Sequence, residues 1–67
     1  MSRQRENETP ADFLRRMGWG VGTRLTGDDG ETIEITAIGR RLVLAVCDNH
    51  NSEGVWCFDC REWEVAP

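Results

Sequence analysis

Four residues with metal-ligating or redox-active side chains lie close together in the second half of the chain. Two residues separate Cys47 from His50, two separate Cys57 from Cys60, and six separate the first pair from the second. Pairs of this spacing are typical of small zinc sites, in which three thiolates and one imidazole form a tetrahedron. A structural zinc would also stabilise a domain of this size. The spacing therefore defines a candidate zinc site.

Two other interpretations use the same side chains. On a regular strand, Cys57 and Cys60 point to opposite faces, and no Gly or Pro between them bends the backbone around a metal. The sequence therefore favours structural thiols, with Cys47 and Cys57 buried on a shared face of a hairpin, Cys60 near its rim and His50 at the loop tip. A redox pair is disfavoured because this C-x-x-C follows a strand and has no helix dipole to activate a thiol.

The remaining residues do not suggest catalysis. His50 is the only histidine, and the sequence does not place a nucleophile and an orienting acid around it. No acidic residue lies in an apolar stretch of the kind that lets a carboxyl group act as a general acid. A single domain of 67 residues also has little depth for a substrate cleft. We therefore expect a protein that is not an enzyme.

Length and composition indicate one small folded domain. The chain has 67 residues, of which 39% are hydrophobic and 30% are charged. The N-terminus is polar, without a signal-peptide pattern, and no apolar run is long enough for a membrane span. An odd number of cysteines without a secretion signal argues for a reducing compartment. These features predict a cytoplasmic protein that does not bind membranes.

Charge is distributed unevenly along the chain. Residues 1–20 contain four arginines and three acidic residues, whereas residues 21–67 contain four arginines and nine acidic residues, a net charge of −5. An acidic body repels a phosphate backbone, so nucleic-acid binding is not expected. The same charge would suit a basic protein partner.

A short helix is predicted after a charged and disordered lead of residues 1–8. Thr9 fits the N-cap, a proline follows at the first helical position, and Gly18 fits the position after the last turn. Phe13, Leu14 and Met17 share one apolar face. Two helical turns do not persist alone, so this face must pack on the body or, in a homodimer, on a second copy.

Strand patterns occupy the rest of the chain. The clearest alternation places Ile33, Ile35 and Ala37 on one face, and the apolar run 42–47 is typical of a central strand buried on both sides. Turn-forming residues separate the strands. The predicted strands are residues 21–26, 31–38, 42–47, 55–60 and 62–65.

The predicted fold is mainly β, a five-stranded small barrel with a short N-terminal helix, in one domain over residues 9–67. Five short strands in a meander are typical of such barrels. Over residues 19–66 the pattern resembles SH3-like and Tudor-like barrels, which host unrelated functions. The resemblance assigns no function by itself, although barrels of these kinds use aromatic surfaces to bind methylated side chains or proline-rich peptides. The partner-binding candidates are Trp19, Trp63, the acidic face Asp28, Asp29, Glu31 and Glu34, and the turn residues Arg40 and Arg41.

A second resemblance concerns the amino-acid sequence rather than the strand topology. The segments "GTRLTGDDGETIEITAIG", "EGVW" and "CREWE" resemble short uncharacterised proteins encoded by bacteriophages of GC-rich actinobacteria. This resemblance implies a setting, the bacterial cytoplasm during phage infection. It also implies a small regulator that acts by binding a host or phage protein.

Overall fold

The computed structural model describes residues 2–48 and 52–67. Within them the chain is mainly β, with one short helix followed by five strands, as the sequence predicted. The elements are α1 (Pro10–Met17), β1 (Arg24–Gly27), β2 (Thr32–Ile38), β3 (Val43–Cys47), β4 (Glu53–Trp56) and β5 (Trp63–Val65).

The helix begins and ends where its capping residues predict. The Thr9 hydroxyl accepts a hydrogen bond from the Asp12 N–H at 3.1 Å, which satisfies one of the free donors of the first turn. Pro10 is the first helical residue, where its missing N–H costs nothing. Gly18 ends the helix with φ 76°, a left-handed conformation that glycine adopts without a Cβ clash. These predictions are confirmed.

The five strands form one antiparallel sheet in the order β4-β3-β2-β1-β5. The expected barrel is not found, because the sheet is open: among the described residues, no backbone ladder joins β4 to β5. These edge strands contain only four and three residues, which leaves little backbone to close a barrel.

A bulge in β2 changes which face its last residues occupy. Ile35 lies opposite Ala45 but Ala37 lies opposite Leu44, so Thr36 is an extra residue without a partner on β3. The predicted face of Ile33, Ile35 and Ala37 is therefore divided. The two isoleucines point to the core, and Ala37 lies with Leu44 on the opposite face.

The core lies on one side of the sheet, between the strands and α1. Phe13 and Leu14 of the helix are fully buried against Leu25, Ile33, Ile35 and other strand residues. All five aromatic side chains of the chain form one continuous row through this core, with neighbouring ring centroids 5.4–6.2 Å apart. The row runs in the order Trp19, Phe13, Phe58, Trp63 and Trp56.

Residues 2–8, before the helix, pack on the fold, whereas a disordered lead was expected for residues 1–8. Ser2 pairs with Trp63 through two backbone hydrogen bonds, which adds a bridge outside β5. Gln4 is buried; its N–H donates to the Phe58 carbonyl and its side-chain oxygen accepts from the Phe58 N–H. Local sequence did not predict this order because the partners lie more than fifty residues away.

Within the described residues, no helix has the length and apolar character needed to cross a membrane.

Candidate protein-binding surface

The side of the sheet opposite α1 and the core, here called the outer face, carries an uncovered apolar cluster. Ala37, Leu44 and Val55 lie side by side across β2, β3 and β4, paired in register. Val46 follows Leu44 on the same face, because alternate residues of a strand point to the same side. Val55 is 59% exposed, and the other three are half-buried. These four residues are called the outer patch.

The outer patch differs from what the sequence of β3 predicts. The run 42–47 was expected to be buried on both sides, as in a central strand. Val43, Ala45 and Cys47 are indeed buried, but Leu44 and Val46 alternate with them as half-buried residues. No described segment covers this second side of β3. The strand therefore has apolar residues on both sides, as in a strand buried on both sides, but the described structure covers only one of them.

Charged side chains surround one end of the outer patch. Glu34 lies opposite Val46 on β2, and Glu53 lies opposite Val46 on β4. Glu53 also accepts a hydrogen bond from the Thr36 hydroxyl. Arg24 binds Asp48 at 2.6 Å and Glu34 at 3.6 Å. Three carboxylates and one guanidinium give this end of the patch a negative charge, which favours a basic partner.

Two acids of the predicted acidic face are bound within the protein. Arg61 contacts Asp29 at 2.6 Å and Glu31 at 3.1 Å, and its guanidinium lies over the Trp63 ring, 5.6 Å from the centroid. Partial desolvation acts to lower the pKa of Arg61, but Asp29 and the other neighbouring anions raise it overall. Glu34 belongs to the rim of the outer patch, and Asp28 is exposed. The four acids therefore do not act as one free acidic surface.

The predicted aromatic surface is wrong in one of its two residues. Trp63 is only 1% exposed and lies in the aromatic row between Phe58 and Trp56, because its strand pairs with β1 and brings the ring over the core. Trp19 is half-buried and packs edge to face on Phe13, at 5.5 Å between centroids. Trp56 packs partly buried against the core.

The arginine turn contacts the helix through its backbone. The Arg41 carbonyl accepts from the Ala11 N–H at 3.2 Å, and the Arg40 carbonyl accepts from the Arg15 guanidinium at 3.2 Å. Both turn side chains are exposed. Beside them, a shallow apolar groove of about 330 Å³ is lined by Thr9, Pro10, Arg41 and Leu42.

The apolar face of the helix packs on the body of its own chain. Phe13 and Leu14 are 0% exposed, and Met17 packs partly buried against the same core. The sheet is open, so the apolar face that carries the core residues needs a cover. The helix packs on that face of its own sheet. Of the two alternatives that the sequence left open, packing on the body is the one observed.

Two of the candidate zinc ligands, Cys47 and Cys57, lie apart from each other. Val46 lies opposite Glu53 and Val43 opposite Trp56, so Cys47 and Cys57 fall at opposite ends of the β3–β4 hairpin. Along the strand direction, Cys47 and Cys57 are separated by five residues, roughly 17 Å at 3.4 Å per residue. Cys47 is buried, whereas Cys57 and Cys60 are exposed, so the shared buried face predicted for Cys47 and Cys57 is wrong. His50 lies outside the described residues.

The described residues contain no cluster of three or more possible metal ligands from His, Cys, Asp and Glu.

The sequence reasoning missed the outer patch, although a signal was present. A continuous apolar strand is expected to be buried on both sides of its sheet. One short helix can cover only one of those sides. The exposed position of Val55 depends on the hairpin register, which periodicity alone did not specify.

Comparison with known proteins places the chain in a family. Residues 8–67 match the domain of unknown function DUF7241, and the chain belongs to that family. Among curated proteins and solved structures, none matches this chain.

Proposed function

We propose that this chain is a non-enzymatic protein-binding module that presents its outer patch to a partner protein. The observation that carries the proposal is the uncovered second side of β3, where Leu44 and Val46 are half-buried and Val55 beside them is 59% exposed. A contiguous group of apolar side chains that includes an exposed residue and is covered by no described segment is typical of an interaction site. The composition of β3 is that of a core strand, but one of its sides is uncovered, and this mismatch also supports an interaction site.

The charge around the outer patch supports a basic partner. Among the described residues, Glu34, Glu53 and Asp48 lie at its end, with Arg24 as the one opposing charge there. The body over residues 21–67 has four arginines and nine acidic residues. Complementary charge steers such a partner to the surface and discriminates against acidic competitors.

The biological setting we propose is regulation by a phage-encoded protein in the cytoplasm of an infected bacterium. Its support is the resemblance of three sequence segments to actinobacteriophage proteins. We also propose that the sheet is an open relative of SH3-like small barrels. The strand order, with β1 between β2 and β5, supports this relation, as does the contact of Trp56 with Trp63 between the edge strands.

The test compares capture of proteins from infected-host lysate by three forms of the protein. Val55→Glu puts a charge in the outer patch, and Val21→Glu is the matched control, since Val21 is 64% exposed and lies before the first strand. We expect a partner retained by the natural protein and by Val21→Glu but lost from Val55→Glu. Equal retention by all three forms would exclude the outer patch as the contact.

A further inference from the structure

The two edges of the sheet differ in how they are covered. Outside β5, the backbone of Ser2 hydrogen-bonds with Trp63 in both directions, at 2.8 and 2.6 Å, so the chain's own N-terminal segment occupies that edge. Outside β4, no described segment forms a backbone hydrogen bond with Glu53–Trp56. One edge is therefore protected, and the other presents N–H and C=O groups that no described residue pairs.

β4 has some of the usual protection of an edge strand and lacks the rest. Natural edges are blocked by short strand length, charged side chains, proline, bulges or inward-pointing charges, and β4 has four residues with one charge, Glu53. Glu53-Gly54-Val55-Trp56 contains no proline and no cation, and its register with β3 is regular from end to end. A Cβ built at Gly54 would meet no described atom within 4 Å, so space for a side chain is open beside this residue.

We infer that a partner supplies an extended segment that pairs with β4 as a sixth strand. This inference rests on the proposed function and specifies its geometry. Backbone hydrogen bonds to the free edge would provide affinity, and alternate side chains would provide specificity. On the outer face, the added strand places an apolar residue beside Val55 and a basic residue beside Glu53. On the inner face, it places a large apolar residue in the space beside Gly54.

Charge selects a basic partner over a second copy of this chain. The protein carries a net charge of −4, so pairing two copies through β4 would bring two acidic bodies together. A basic segment instead meets Glu53, and beyond it Glu34, at the end of the outer patch. The occupant is therefore an extended, basic and apolar segment of another protein.

The test uses blocked synthetic peptides and ¹⁵N-labelled full-length protein. The probe, Arg-Thr-Val-Phe-Arg-Thr, places Phe beside Gly54 and Arg beside Glu53 when it pairs antiparallel with β4. One control replaces both arginines by glutamates. A second carries N-methyl groups on alternate residues, which removes the hydrogen-bond donors of the edge that would face β4. Exchange of the β4 amides with deuterium is followed by NMR.

We expect the probe to slow exchange of the outward-facing β4 amides by about tenfold or more, and both control peptides to leave it unchanged. Three outcomes would each overturn strand addition. The N-methylated peptide could bind as well as the probe, the probe could fail to bind at millimolar concentration, or self-association without peptide could protect the β4 amides. The proposed function fails separately, if Val55→Glu still captures the partner. If Val55→Glu loses that partner while the N-methylated peptide binds as well as the probe, only strand addition is wrong.

Discussion

Trp56 and Trp63 lie on strands at opposite edges of the sheet, yet their rings meet at 74° with centroids 6.2 Å apart. The backbone ladders that connect these residues run through three intervening strands. An edge-to-face contact of this kind contributes about 0.5–1.5 kcal/mol beyond the burial of its surface. The two edges are thus tied together by side chains at this point, although the sheet is open.

Replacement of Trp63 is expected to cost most of the stability of the domain. Trp63→Ala removes a side chain that is 1% exposed and contacts both Trp56 and Phe58. Such truncations cost about 3–5 kcal/mol, comparable to the whole stability of many small domains. Urea denaturation followed by circular dichroism measures the loss. Trp19→Ala, at a half-buried ring, is the control, and an equal loss there would contradict the central role of Trp63.

A milder substitution separates the ring from its polar atom. The Trp63 indole Nε1 is buried and has no hydrogen-bond partner among the described residues. Trp63→Phe keeps an aromatic contact and removes this unsatisfied donor, so we expect a smaller loss of unfolding free energy than for Trp63→Ala. The same urea titration compares the two variants. Equal losses would show that the full indole volume decides stability at this site.

Gln4 is expected to hold the N-terminal segment on the core. Its side chain accepts from the Phe58 N–H at 3.0 Å and donates to the Glu8 carbonyl at 2.6 Å. Gln4→Leu leaves the buried Phe58 N–H with one acceptor fewer, a loss of about 1–3 kcal/mol. The urea midpoint measures this loss, and Asn7→Ala, at an exposed residue of the same segment, is the control. An unchanged midpoint for Gln4→Leu would mean that the segment is not anchored there.

Local chemistry was sufficient to predict the secondary structure. Thr9 and Gly18 bound the helix because an N-cap acceptor and a left-handed glycine act within a few residues of themselves. The five strands follow from apolar runs separated by turn residues, and five were found, but the predicted strand 55–60 shares only residues 55–56 with the observed β4 (Glu53–Trp56). These signals depend on neighbours in the chain, which the sequence displays directly.

Features that depend on distant partners could not be predicted in the same way. The order of residues 2–8 depends on hydrogen bonds from Ser2 and Gln4 to β5 and Phe58. The separation of Cys47 from Cys57 depends on the hairpin register. Spacing in the sequence suggested convergence of these thiols, but a register that pairs Val46 with Glu53 carries them apart. The candidate site was missed for the same reason.

The three cysteines are expected to react in two classes. Cys57 and Cys60 are exposed, whereas Cys47 is 3% exposed within the core. A thiol reagent such as dithiobis-nitrobenzoate should modify two thiols of the folded protein rapidly and the third only after addition of denaturant. Cys57→Ser should remove one rapid equivalent and Cys47→Ser none. Three rapid equivalents in the natural protein would contradict burial of Cys47.

Removal of metal is expected to leave the melting temperature unchanged. The register keeps Cys47 far from Cys57, so these residues do not share one zinc ion in this fold. A thermal scan with and without a chelator, on protein purified without one, checks this expectation. Stoichiometric zinc lost on chelation, together with a lowered melting temperature that Cys57→Ser reproduces, would contradict it.

The ion pair between Glu8 and Arg16 gives stability a defined dependence on pH. Both carboxylate oxygens of Glu8 accept from the Arg16 guanidinium, at 2.8 and 3.0 Å. These hydrogen bonds lower the pKa of Glu8 from 4.5 to about 2, against partial desolvation, which acts to raise it. Below pH 4.5 the unfolded chain binds the proton first, so this contribution is present above pH 4.5 and is lost as pH falls toward 2.

We therefore expect Glu8→Gln to be less stable than the natural protein at pH 6, with the difference shrinking between pH 4.5 and about 2. Urea midpoints measured across this range for both proteins provide the test. Glu6→Gln, at an exposed residue of the same segment, is the matched control and should show no such convergence. A difference between Glu8→Gln and the natural protein that stays constant with pH would show that Glu8 acts by packing and not through its charge.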